Sequence, residues 1–188
     1  CLITDCGLHQ VLTRNYFEVR TPRGMISPTD YQSMGFGIPA AIGAKLAAPE
    51  RPVVAVVGDG GFAMAAMELT TAVREKIPLT VIVFNDGKLG VIRLMQLKHT
   101  GHEFAVGVQN PNYEQLARSL GVSYARWDEL TSPEGPDLLI GSDVKLLEVP
   151  LVDSPAIRKT RLSGRTRDAV RRVLGPQITR RLKKWLGR

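Results

Sequence analysis

Val53-Val54-Ala55-Val56-Val57-Gly58-Asp59-Gly60-Gly61 is a continuous apolar run closed by one carboxylate set among glycines. Leu79-Thr80-Val81-Ile82-Val83-Phe84-Asn85-Asp86-Gly87 repeats the pattern and closes on an amide. Runs this rich in β-branched residues read as strands buried on both faces of a parallel sheet. Phe62 to Lys76 between them reads as a helix, so the segment is one βαβ crossover. Two neighbouring parallel strands then end on oxygen-bearing side chains at their carboxyl ends, where open α/β sheets bind ligands. Hard oxygen donors suit Mg²⁺, which takes octahedral oxygen and keeps water and phosphate among its ligands. Gly60 and Gly61 begin the following helix, where bare N–H groups favour an anion. The pair predicts a site for a metal-chelated diphosphate.

Outward from this unit, strands and helices alternate, which predicts a doubly wound α/β fold with a mainly parallel sheet and helices on both faces. Leu2 to Cys6 reads as a strand, Gly7 to Glu18 as a turn and helix, and Gly24 to Ser27 as a short strand. Ser33 to Leu46 is helical in pattern, as is Gly90 to about Lys98, and His99 to Pro111 reads as loop. Asn112 and Gly121 have the residue types of an N-cap and a C-cap for Tyr113 to Leu120. Val122 to Ala125 and Lys145 to Val152 complete the strands.

Gly58-Asp59-Gly60, twenty-four residues and then Asn85-Asp86 resembles the metal motif of thiamine diphosphate enzymes. Met34 to Ala44 is similar to the segment that precedes this motif in acetolactate synthase large subunits. Gly7-Leu8-His9-Gln10 resembles their Gly-Gln-His-Gln turn, with Leu8 a departure. The resemblance spans roughly residues 1–152 and implies a six-stranded thiamine diphosphate-binding domain. It implies Asp59, Asn85 and the Gly87 carbonyl as Mg²⁺ ligands, with Gly58, Gly60 and Gly61 beside them. It also implies that His9 contacts the diphosphate and that Met34 wedges beneath the thiazolium ring. Leu89 and Met95 fall on the substrate side.

The implied activity is carboligation or decarboxylation of a 2-keto acid, using thiamine diphosphate and Mg²⁺. The activating glutamate of this family sits on a separate N-terminal domain, usually of a partner subunit, so no catalytic residue is assigned here and a homodimer or tetramer is expected. FAD, found in some acetolactate synthases, depends on a central domain and is left open. Met95 stands where acetolactate synthases usually have Trp, and Pro28-Thr29-Asp30-Tyr31 replaces their Ser-Gly-Gly-Leu. These departures keep a non-carboligating decarboxylase similar to benzoylformate decarboxylase, or a catalytically silent cofactor-binding domain, beside the first reading.

Gly35-x-Gly37-x-x-Ala40, with Asp59 about twenty residues on, also matches a dinucleotide fingerprint, but the polar residues before Gly35 do not read as the strand that an NAD site needs. His99, His102 and Glu103 look like metal ligands only until Gly101 is noticed, and they read as a solvated loop.

Charge divides the chain. Residues 158–188 carry twelve Lys or Arg and one acid, a net +11, while the rest carries −4. We expect residues 1–157 to form the cofactor-binding domain and residues 158–188 a basic amphipathic tail. A fold-back of that tail onto the body or a subunit neighbour is preferred over nucleic acid or membrane. Cys1 and Cys6 lie on opposite faces of one strand and read as free thiols, which suits a cytoplasmic setting. No run of eighteen apolar residues predicts a membrane span. The start at Cys1, already inside a strand, reads as a piece of a longer protein.

Overall fold

The computed structural model describes residues 1–127 and 141–151. The expected tail, 158–188, and the boundary at 157 lie outside these residues. The strands are β1 (Leu2–Thr4), β2 (Met25–Ile26), β3 (Val54–Gly58), β4 (Leu79–Asn85), β5 (Ser123–Arg126) and β6 (Val144–Pro150). They form one sheet in the order β2-β1-β3-β4-β6-β5, with every pairing parallel. The helices are α1 (Leu8–Tyr16), α2 (Gly37–Ala47), α3 (Asp59–Ala65), α4 (Leu69–Arg74), α5 (Gly90–Thr100) and α6 (Tyr113–Leu120).

Register explains why the central runs carry no polar alternation. Ala55 pairs with Val81 and Val81 with Leu146, so these side chains share a face. They join Ile3, Ile38, Phe62, Leu69 and Tyr113 in one buried core. Val56, Ile82 and Leu147 alternate onto the other face. There α1 packs on β1 and β3, and His9 stacks on Phe84 with ring centroids 6.4 Å apart. Helices therefore cover both faces, as expected. Phe62 meets Tyr113 edge to face at 5.3 Å, a geometry that the ring quadrupoles favour.

The single helix expected from Phe62 to Lys76 is a correction. The helix starts at Asp59, stops at Ala65, passes through a 3-10 turn at Ala66–Glu68 and resumes as α4. At the break Ala65 leaves helical geometry, with φ −130° and ψ 7°. The helix expected from Ser33 begins only at Gly37, because the preceding turn holds Gly35 at φ +83°, a left-handed geometry that favours glycine. The helix expected to end near Lys98 continues to Thr100, with Gly101 at φ +76° as its left-handed cap. Expectation and structure agree at α6, where Asn112 Oδ1 accepts the Gln115 N–H at 2.9 Å and Gly121 closes the helix. Both cysteines are free, and no helix among the described residues is long and apolar enough to cross a membrane.

Candidate functional site

Adjacent strands β3 and β4 deliver Asp59 and Asn85 to the same end of the sheet, and their side-chain oxygens converge. Asp59 is buried at 3% exposure. Its Oδ1 accepts the Gly60 N–H at 2.8 Å, and its Oδ2 accepts the Gly87 N–H at 2.7 Å. Asp59 Oδ2 also accepts from Asn110 Nδ2 at 2.9 Å, and the same nitrogen donates to Asn85 Oδ1 at 2.7 Å. One amide group thus touches both oxygens. The Gly87 carbonyl accepts the Val108 N–H at 2.9 Å, which leaves it one further lone pair.

The orientation of Asn85 is fixed from β6. Its Nδ2 donates to Glu148 Oε1 at 2.8 Å, and Glu148 Oε2 accepts from the Tyr124 hydroxyl at 2.6 Å. A carboxylate only accepts, so Asn85 turns its nitrogen to Glu148 and its oxygen toward Asp59. Sequence reasoning missed Glu148, Asn110 and Tyr124. The odd signal was Glu148 itself, an acid between Leu146-Leu147 and Val149 that is nevertheless buried.

The glycines form a tight cradle. A Cβ on Gly60 would lie 2.8 Å from Leu89 Cδ2 and 2.9 Å from Met34 Cε. Met34 and Leu89 therefore meet over the turn after β3. A Cβ on Gly58 would lie 3.1 Å from the His9 ring, and one on Gly61 would lie 2.5 Å from Asp5 Oδ2. Asp5, also missed from sequence, is 1% exposed and accepts the N–H groups of Cys6 at 2.7 Å and Gly35 at 2.9 Å. Burial raises its pKa against those bonds. The carboxylate thereby joins the end of β1 to the turn that carries Met34. Met95, by contrast, stands on α5 at 56% exposure.

His9 is 7% exposed, and burial pushes its pKa down to about 4, with a bond to the Asp5 carbonyl opposing the shift. At neutral pH it is an uncharged ring whose Nδ1–H is used and whose Nε2 has no partner. Among the described residues only three buried side-chain polar atoms lack one: His9 Nε2, Asn110 Oδ1 and the Tyr113 hydroxyl. All three belong to residues around Asp59 or the glycine turn. Burial first, and then Asp59 and Glu148, raise the Tyr113 pKa, which keeps its hydroxyl protonated as a donor. Buried polar groups are normally satisfied, so this cluster of orphans fits a polar ligand. No group of three or more His, Cys, Asp or Glu side chains suited to a metal occurs among the described residues. A cation here would rely on one carboxylate together with amide and backbone oxygens, a hard donor set that suits Mg²⁺.

The other motifs resolve without a ligand. Glu103 pairs with Lys88 and Arg93. His102 Nδ1 lies 2.9 Å from the Thr100 carbonyl. No strand leads into Gly35, since β2 ends at Ile26.

Residues 5–135 match the family model of the C-terminal TPP-binding domain of thiamine pyrophosphate enzymes. The chain is 42% identical over 142 residues to a probable 2-ketoarginine decarboxylase of Pseudomonas aeruginosa, covering 73% of this chain and 25% of that protein. It is 30% identical over 180 residues to a probable acetolactate synthase large subunit of Methanocaldococcus jannaschii, covering 92% and 30%. It is 32% identical over 146 residues to a sulfoacetaldehyde acetyltransferase of Alcaligenes xylosoxydans, covering 77% and 24%. The chain thus spans roughly a quarter of the length of the curated relatives it matches. It belongs to the thiamine pyrophosphate enzymes and carries their C-terminal TPP-binding domain.

Proposed function

We propose that this chain anchors the diphosphate of thiamine diphosphate through Mg²⁺ in an enzyme that cleaves or forms C–C bonds at a 2-keto acid. The observation that carries this reading is the convergence of Asp59 Oδ2 and Asn85 Oδ1 on one point. Asp59, Asn85 and the free lone pair of the Gly87 carbonyl would hold the cation. Gly60 and Gly61 let the backbone approach the diphosphate, and a bound water would link it to His9 Nε2, which in this tautomer only accepts. Met34 and Leu89 supply an apolar wall over Gly60. Bound thiamine diphosphate supplies the carbanion-stabilising chemistry, while the residues of this chain position it and keep water away.

Two exposed apolar residues, Leu8 beside Gly90 and Met64 beside Gly35, favour a subunit neighbour there. That neighbour would bring the activating glutamate, so this chain alone is expected not to turn over pyruvate. Between the two reactions, Met95 in place of a Trp and the likeness to a named decarboxylase favour simple decarboxylation. The likeness to an acetolactate synthase subunit favours carboligation. Product analysis with the complete protein on pyruvate and bulkier keto acids separates them.

Asp59→Ala tests the anchor. Quenching of tryptophan fluorescence by thiamine diphosphate with Mg²⁺ should weaken by at least tenfold, the usual scale for disturbing a metal site. Unchanged binding would remove the assignment.

A further inference from the structure

We propose that Asn110 is a positioning residue of the cation site, holding Asp59 Oδ2 and Asn85 Oδ1 at the spacing a metal needs. The proposal rests on the Mg²⁺ reading above. A single Nδ2 bonds both oxygens, at 2.9 and 2.7 Å, although they come from different strands. Carboxylate and amide oxygens brought this close repel one another unless something positive lies between them, and two amide hydrogens meet that need.

The orientation of Asn110 follows from a relay. Glu148 fixes Asn85, Asn85 presents its oxygen, and Asn110 must then point its nitrogen inward. This leaves Asn110 Oδ1 buried and unpartnered, an acceptor beside the donor pair that suits a metal-bound water.

The backbone is built to hold this side chain still. Residues 106–108 run back along 87–89: Leu89 N–H donates to the Val106 carbonyl at 2.8 Å and Val108 N–H to the Gly87 carbonyl at 2.9 Å. Lys88 and Gly107 form an antiparallel bridge, and Val106 is buried. Two residues after Asn110, Asn112 caps α6. Asn110 therefore sits on a span pinned at both ends, the precision that a second layer around a metal requires. The same pins would survive its truncation, so the fold should persist in an alanine variant.

The test is Mn²⁺ binding to the 188-residue chain, with and without thiamine diphosphate, read by the EPR signal of free Mn²⁺. Asn110→Ala should weaken Mn²⁺ about tenfold. Asn110→Asp keeps the shape but replaces both donors by a third carboxylate. It should lower the melting temperature without metal, and added Mn²⁺ should raise that temperature by more than in the parent chain. A merely structural asparagine would lower melting in both variants and leave Mn²⁺ affinity where it was. Asp59→Ala serves as the control. If it abolishes binding while Asn110→Ala stays within twofold of the parent, this proposal fails alone. If Asp59→Ala binds like the parent, the metal reading fails and this proposal with it.

Discussion

Acid should destabilise this domain partly through one ring. His9 lies on the sheet face covered by α1, stacked on Phe84 against Gly58, and its pKa falls from 6.5 to about 4 because burial penalises the imidazolium. For a base held lower in the fold, the unfolded chain takes the proton first. Stability is therefore intact above pH 6.5 and is lost as pH drops toward 4. With those two values, a single site costs about 2.5 kcal/mol between pH 7 and 4.5, with a steepest slope of about 1.2 kcal/mol per pH unit. Asp5, whose carbonyl receives the His9 Nδ1–H, has its own carboxyl pKa raised by burial and works in the opposite sense. The comparison must therefore keep Asp5 in place. His9→Asn retains an N–H near the Nδ1 position and removes the titration. Urea unfolding followed by circular dichroism at pH 7, 6, 5 and 4.5 should show the parent losing about 2.5 kcal/mol relative to the variant. Parallel pH curves for the two proteins would refute the reasoning.

Three further outcomes follow from the same contacts. Gly61→Ala places a methyl 2.5 Å from the buried Asp5 carboxylate and should cost about 2–3 kcal/mol in urea unfolding; a neutral result would mean that the turn after β3 moves freely. Glu148→Gln lets the Asn85 amide turn either way, so Mn²⁺ affinity by EPR should fall about tenfold with a smaller loss of melting temperature. Asn112→Ala removes the acceptor for the Gln115 N–H and should cost about 1 kcal/mol in thermal unfolding.

Local pattern carried much of the fold and part of the candidate site's geometry. Asp59 and Asn85 were legible because each closes a strand whose apolar run is unbroken, so residue type and position agreed. Asn112 and Gly121 were legible because capping is decided within four residues. Glu148 was not, because it acts 63 residues from Asn85 through a pairing of β4 with β6 that skips β5. Periodicity identifies strands but says nothing of their order. Asn110 lay in a stretch that reads as loop, and its importance comes from a backbone return along residues 87–89 with no sequence signature. Asp5 was passed over as part of a short strand, since only the folded turn shows its carboxylate against Gly35 and Gly61. The break at Ala65 has no Gly or Pro to announce it.

The strand order has a consequence for synthesis. β4 is made before β5, yet one of its edges pairs with β6, the strand that follows β5 and whose last residue is Pro150. While the ribosome is between the two, that edge offers unpaired N–H and C=O groups alongside Val81 and Val83, the exposure that invites misassociation in slowly closing parallel sheets. A nascent chain stopped before Val144 would also lack Glu148, leaving the Asn85 amide free to turn. The end of the sheet that carries Asp59 and Asn85 is thus finished from the carboxyl-terminal side, after most of the described core has already been translated.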